Sequence, residues 1–115
     1  MRRLVVRPRA LEDQRDLLIR SRREFGSAAQ RAYEALIRRA MRSLCAEPTR
    51  AGVVTDDALP AGVCLFHIRH ARQRRTAPAR PRHFIVFTHD AATLTVIRIL
   101  HDAMDVPARL NDDDT

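Results

Sequence analysis

Residues 83–101, His83-Phe84-Ile85-Val86-Phe87-Thr88-His89-Asp90-Ala91-Ala92-Thr93-Leu94-Thr95-Val96-Ile97-Arg98-Ile99-Leu100-His101, decide the fold. Two runs of β-branched, aromatic and aliphatic residues flank His89–Thr93, which reads as a loop, so the stretch predicts a β-hairpin. Working outward toward the N-terminus, Cys64, Phe66 and Ile68 alternate with Leu65, His67 and Arg69 and predict the strand before it. Gln73 to Arg82, holding Pro78 and Pro81, is too long and too charged for a tight turn and is expected to protrude.

Farther out, Arg3-Leu4-Val5-Val6-Arg7 predicts a first strand stopped by Pro8, a residue suited to the first turn of a helix, where its missing N–H has no partner to lose. That helix carries Glu12, Asp13 and Asp16 early and Arg20, Arg22 and Arg23 late, the arrangement that suits the macrodipole, with Asp16 and Arg20 at i,i+4. Leu11, Leu18 and Phe25 form its expected apolar seam. Gly26 ends it, and Ser27 with Gln30 has the spacing of a capping box for a second helix. Ala29, Tyr33, Leu36, Ile37, Ala40, Met41 and Leu44 recur at three- and four-residue steps, an inward stripe closed by Pro48. Glu47 to Gly62 has the composition of a connector. Beyond His101, Asp102-Ala103-Met104-Asp105 reads as a short helical turn stopped by Pro107. The order is β-α-α-β-β-β. It predicts an α+β fold in which a helical hairpin packs on one face of a mainly antiparallel sheet, the other face being free. The domain spans residues 1–110, and 111–115 form an acidic flexible tail.

The chain has 115 residues, the usual length of one domain, and 45% hydrophobic residues, enough for a core. No apolar stretch approaches the ~20 residues a membrane span needs. Only Leu4-Val5-Val6 separates Arg3 from Arg7, which is no secretory segment, so a cytoplasmic protein without a membrane partner is expected. Cys45 and Cys64 show no CxxC spacing and read as reduced core thiols. The histidines have neither an HxH nor a helical HxxxH pattern, so neither a metal site nor a cofactor is expected. All 21 basic residues are arginine, against 14 acids, for a formal charge of +7. Arg69, Arg72, Arg74, Arg75, Arg80 and Arg82 follow one another with no acid between them, a segment that wants an anionic partner.

Several stretches together carry a family resemblance. They are Val6-Arg7-Pro8-Arg9-Ala10 with Asp16-Leu17, Ser27 with Tyr33 and Leu36, Phe66-His67-Ile68-Arg69-His70-Ala71-Arg72, Pro81-Arg82-His83-Phe84-Ile85-Val86-Phe87 and Ile97-Arg98-Ile99-Leu100-His101-Asp102-Ala103-Met104-Asp105. Over almost its whole length the chain is similar to the ParE branch of the RelE/ParE superfamily, the toxins of bacterial type II toxin–antitoxin systems. The resemblance implies a RelE/ParE-like fold and a non-enzymatic toxin that inhibits DNA gyrase, trapping it on cleaved DNA. It also implies neutralisation in a hetero-oligomer by a cognate ParD-like or related antitoxin.

Candidate residues divide by hypothesis. For a gyrase-directed toxin, Arg69, Arg72, Arg74, Arg75 and Arg82 are the expected target-binding residues. Arg15, Arg22, Arg31, Arg38, Arg39 and Arg42, on the outer faces of the helices, are expected to receive an acidic or amphipathic antitoxin. The competing expectation is a RelE-like, ribosome-dependent mRNA endoribonuclease. Such an enzyme needs a base, an acid and a cation, for which Arg98, His101 and His83, with His70 and Arg82 nearby, are the candidates. Adjacent strands about 4.8 Å apart would bring them together. A third possibility is a non-toxic, basic nucleic-acid-binding module. Each candidate also has a plain structural role: Arg98 could pair with Asp102 or Asp105, His101 could bond backbone at the strand end, and Tyr33 could be core.

Overall fold

The computed structural model describes residues 1–73, 78 and 80–112. In chain order its elements are β1 (Arg3–Val6), α1 (Pro8–Phe25), α2 (Ser27–Ala46), β2 (Val53–Val54), β3 (Cys64–His67), a 3-10 turn (Ile68–Ala71), β4 (His83–His89), β5 (Thr93–His101) and α3 (Val106–Asp112). The sheet runs β1-β5-β4-β3-β2, with β1 parallel to β5 and every other pair antiparallel. It is an α+β fold with the expected hairpin at its centre. Two differences come from local chemistry. Val53–Val54, too short to stand out in a connector, adds an edge strand opposite Phe66 and Leu65. The strand expected through Arg69 stops at His67, because the His67 ring Nδ1 accepts the Arg69 N–H at 3.1 Å and turns the backbone into the 3-10 segment.

The hairpin contains a bulge. Phe87 faces Val96 while Val86 faces Arg98, so Ile97 has no partner across the ladder. One extra residue shifts the alternation. Leu94, Val96 and Ile99 therefore all lie in the cluster beneath the helices, while Ile97 and Leu100 turn to the opposite side. The predicted α2 stripe is there: Tyr33, Leu36, Ile37, Ala40, Met41 and Leu44 are buried against Phe66, Ile85, Phe87 and the β5 residues. Ala29 is half-buried.

The α1 seam is not where its leucines suggest. Leu18 is buried, but Leu11 is 49% and Phe25 73% exposed; the inward line runs through Ala10, Asp13, Leu17 and Ser21 instead. The expected capping box is absent as well. Gly26, at φ +94°, gives its N–H to Arg22 O and accepts the Gln30 N–H, so a single residue both ends α1 and begins α2. With the turn complete in one left-handed glycine, Ser27 is already helical and no side chain caps α2.

Nor is the second sheet face free. Leu59 and Val63 of the connector, with Val106 and Leu110 of α3, cover Val86 and Leu100, and Leu65, Phe84 and Ile97 pack against them. Pro107 begins this helix rather than stopping one, since a proline in a first turn sacrifices no helical hydrogen bond. The tail expected from Asn111 starts inside α3, and 113–115 lie outside the described residues. Cys45 and Cys64 are free and buried, and burial pushes both thiols up.

β1 ends at Val6, leaving β5 without a neighbour on that side beyond its last bond, Arg7 N–H to Val96 O at 3.0 Å. Asp13 of α1 takes the strand's place. Its carboxylate accepts Arg98 Nε at 2.7 Å, Arg98 Nη2 at 2.9 Å and the Ile99 backbone N–H at 3.0 Å, with side-chain exposures of 7% for Arg98 and 15% for Asp13. The pairing of Arg98 with Asp102 or Asp105 expected from sequence is thus replaced by one with Asp13, 85 positions away. Asp13→Ala should lower unfolding free energy by about 3–5 kcal/mol, because it removes the carboxylate that holds a buried guanidinium at two nitrogens and accepts the Ile99 N–H. Asp13→Leu combined with Arg98→Met should recover part of that loss in urea denaturation; a loss under ~1 kcal/mol in the single variant would contradict the account.

Candidate functional site

The antiparallel register sets His83, at the start of β4, directly opposite His101, at the end of β5. The rings meet edge to face at 5.2 Å between centroids. Tyr33 of α2 reaches the same point. Its hydroxyl accepts the Arg82 backbone N–H at 2.9 Å and lies 2.6 Å from His83 Nδ1. The Tyr33 hydroxyl, already accepting from Arg82, shares a hydrogen bond with His83 Nδ1 and leaves Nε2 as that ring's other edge. His101 Nδ1 accepts the Ala103 N–H at 3.0 Å, which puts that ring's proton on Nε2; Asp102 Oδ1, at 3.5 Å, is too far to claim the nitrogen. His101 is therefore a donor on its remaining edge.

Behind them, Asp102 ties three strands. It accepts His67 Nε2–H at 3.0 Å and Arg82 Nε at 3.1 Å and 3.2 Å, and its own N–H bonds Arg82 O at 2.8 Å. Burial opposes ionisation of Asp102, but the His67 and Arg82 hydrogen bonds together outweigh it and hold the carboxyl below the usual range. Burial, followed by the nearness of His101, pulls His83 down to about 4, so it is neutral at neutral pH. Burial also raises Tyr33, against the opposing Arg82 N–H, which keeps the phenol protonated.

These groups form the floor of a cavity of about 920 Å³ between the helical hairpin and the sheet end. Leu17, Phe25, Ala29, Ala32 and Met104 supply its apolar wall, and five arginines against three carboxylates give its lining a positive balance. The volume lies in the range of small-molecule sites. The helices leave the space open because α2 presents alanines there and the phase of α1 turns Phe25 outward.

The structure brings together four sequence candidates, His83, His101, Arg82 and Arg98, at this cavity. His70 is elsewhere, its ring 5.7 Å from Phe66 and packed over Gly52, where an added Cβ would meet it at 2.8 Å. Arg69 is exposed and Arg72 half-buried, while Arg74 and Arg75 lie outside the described residues. Arg15, Arg22, Arg31, Arg38 and Arg42 are exposed on the helices, Arg38 bonded to Glu34 at 3.0 Å, and Arg39 is half-buried. Three site residues escape a reading of the sequence: Asp13, Asp102 and Arg20. Asp13 does leave a signal, as an acid on the inward line of an amphipathic helix.

Chemically, His101 has its Nδ1 lone pair committed to the Ala103 N–H, His83 Nδ1 is engaged with Tyr33, and Arg98 is bonded to Asp13. Among the described residues, no group of three or more His, Cys, Asp and Glu could hold a metal ion. No described helix is long and apolar enough to cross a membrane.

Comparison with known proteins yields one family match. Residues 4–106 match the model described as the ParE toxin of the type II toxin–antitoxin system, parDE. No curated protein matches the chain.

The depressed His83 has a thermodynamic signature. From its ordinary value of 6.5 down to about 4, the unfolded chain binds a proton that the folded chain refuses. The stability it contributes is full above pH 6.5 and is lost as pH falls toward 4, by roughly 3 kcal/mol at most. His83→Gln should flatten the stability–pH curve in that window; an unchanged slope in urea titrations at pH 4.5–7 would refute the assignment.

Proposed function

We infer, since this chain belongs to the ParE toxin family of type II toxin–antitoxin systems, that it acts as a protein inhibitor of DNA gyrase and is silenced by direct binding of its cognate antitoxin. The observation that supports inhibition over RNA cleavage is the state of the acid–base set that the described residues form at this cavity. Ribonucleolysis needs a free base for the 2′-OH proton. His101 has its Nδ1 lone pair taken by the Ala103 N–H, and His83 Nδ1 is engaged with Tyr33. What remains is a surface for binding, with Arg69, Arg72, Arg74, Arg75 and Arg82 proposed to contact the target.

Antitoxin recognition follows from charge. Arg15, Arg22, Arg31, Arg38, Arg39 and Arg42 are proposed to attract an acidic, amphipathic segment of a ParD-like antitoxin, forming a hetero-oligomer. Exposed charges of this kind raise association rates more than they hold a complex together.

Purified protein in a gyrase supercoiling and cleavage assay should accumulate cleaved DNA, relieved by the antitoxin, with Arg72→Ala and Arg82→Ala weakening the effect. Intact DNA together with codon-phased cuts in translated mRNA would replace this reading with the nuclease. In stopped-flow binding at low salt, Arg→Ala changes on the helices should slow antitoxin association about two- to tenfold each, with little change in dissociation. Unchanged association rates would remove the helical arginines from the interface.

A further inference from the structure

The cavity under the helical hairpin has a chemical bias that the proposed gyrase and antitoxin contacts, Arg82 apart, do not use. At its sheet end His83 and His101 line the cavity with their Nδ1 atoms engaged by Tyr33 and by the Ala103 N–H, so the Nε2 edges are what these rings have left to offer a ligand. Cations surround them. Arg20 sits close enough to His83 to lower its affinity for a proton, and Arg20 and Arg109 both line the cavity with no ion pair among the described residues. A further potential donor, the Tyr33 hydroxyl, is engaged within the protein. A ligand here must therefore bring acceptors, several of them, and negative charge.

The opposite wall specifies the rest of the ligand. Leu17, Ala29, Ala32 and Met104 are apolar, and Phe25, 73% exposed, presents an aromatic ring that the core does not use. A bare anion would leave this wall wet, whereas a planar aromatic body would dry it and could stack on the ring. The remaining carboxylates, Asp16 and Glu24, are exposed and stand one helical turn either side of Arg20, where water screens them.

We propose that this cavity is a binding site for a phosphate monoester carried on an aromatic body, the chemistry of a mononucleotide, with the phosphate received by His83, His101 and Arg20 and the base laid against Phe25. The cavity of about 920 Å³ accommodates such a ligand. The fixed His101 tautomer matters: because that ring is held as an Nε2–H donor before the ligand arrives, no proton need move there for an anion to bind. The same monoester occurs on a free nucleotide and at the 5′ end of a nucleic-acid strand.

Calorimetric titration of the whole chain tests it, with adenosine 5′-monophosphate, inorganic phosphate, adenosine and a 5′-phosphorylated trinucleotide as probes. The monophosphate should bind with a Kd below about 1 mM, phosphate about tenfold more weakly or worse, and adenosine not measurably. A trinucleotide that binds more tightly than the monophosphate assigns the site to strand ends, and one that binds more weakly assigns it to free nucleotide. Arg20→Ala, at an exposed position, should weaken monophosphate binding about tenfold, and His101→Phe, which keeps a ring but removes the donor, severalfold. Arg3→Ala, on the far edge strand, should leave it unchanged. Bound phosphate should also stay dianionic in 31P spectra to lower pH than the free ester, whose second ionisation lies near about 6. Absence of saturable monophosphate binding overturns the proposal, and so does equal weakening by Arg20→Ala and Arg3→Ala, which would mean net charge alone. Phosphate binding as tightly as the monophosphate would overturn the aromatic half.

Discussion

A sheet edge exposes backbone donors that something must satisfy, and in this protein the something is a carboxylate. β1 covers β5 only as far as Val96, and the strand continues for five more residues with that side open. Asp13 closes the gap by accepting the Ile99 N–H while gripping the Arg98 guanidinium at two nitrogens. A side chain on α1 thus acts as a piece of strand, and much else follows from it. To hold Asp13 against β5, α1 must rotate so that Ala10, Asp13 and Leu17 face inward, and Leu11 and Phe25 are carried out of the core. The exposed aromatic at the cavity rim and the buried ion pair at its base are two results of one helix orientation. A guanidinium held this way would be costly without its partner, so the site and the fold share a common anchor.

The bulge at Ile97 performs a second service. By skipping one residue in the ladder it returns Ile99 to the helix side and sends Leu100 to the other, so that β5 feeds two apolar clusters in turn. The sheet is covered on both faces as a result: the helical hairpin lies on one, and α3 with the Leu59–Val63 connector lies on the other. His101 emerges on the helix side beyond the bulge, opposite His83, which is why the two imidazoles meet at all. Asp102, the next residue, then links β5 to His67 on β3 and to Arg82 at the entrance to β4.

Much of this was legible in the amino-acid order. The β4–β5 hairpin, the two helices, the α2 stripe and the first strand follow from period and breakers alone, because their signals are local and repeated. Val53–Val54 did not show, since two residues carry no period. The α1 seam misled for a physical reason. Leucines at seven-residue steps were the apolar choice, but a buried ion pair to a residue 85 positions away outbid them, and long-range pairing leaves no local trace. The same blindness explains Arg98, assigned from sequence to nearby acids, and α3, where Pro107 is equally at home ending one helix or beginning another. Of the site, His83, His101 and Arg82 were visible as residue types at strand ends. What the sequence could not display was which ring nitrogen carries each hydrogen, because that depends on Tyr33 and on the Ala103 backbone arriving from other elements.

Tyr33 began as a core residue on the inward stripe and is one, yet its hydroxyl is also the hinge of the His83 arrangement. The chain has no tryptophan and this one tyrosine. Its near-ultraviolet absorption and emission therefore come chiefly from a phenol hydrogen-bonded at the floor of the cavity, 2.6 Å from a histidine ring. Nature has left the protein with a built-in chromophore at its most informative position. Whatever occupies the cavity, disturbs the histidine pair or loosens α2 from the sheet alters the surroundings of that single group, and the optical spectrum of the unlabelled protein becomes a local report rather than an average over the fold.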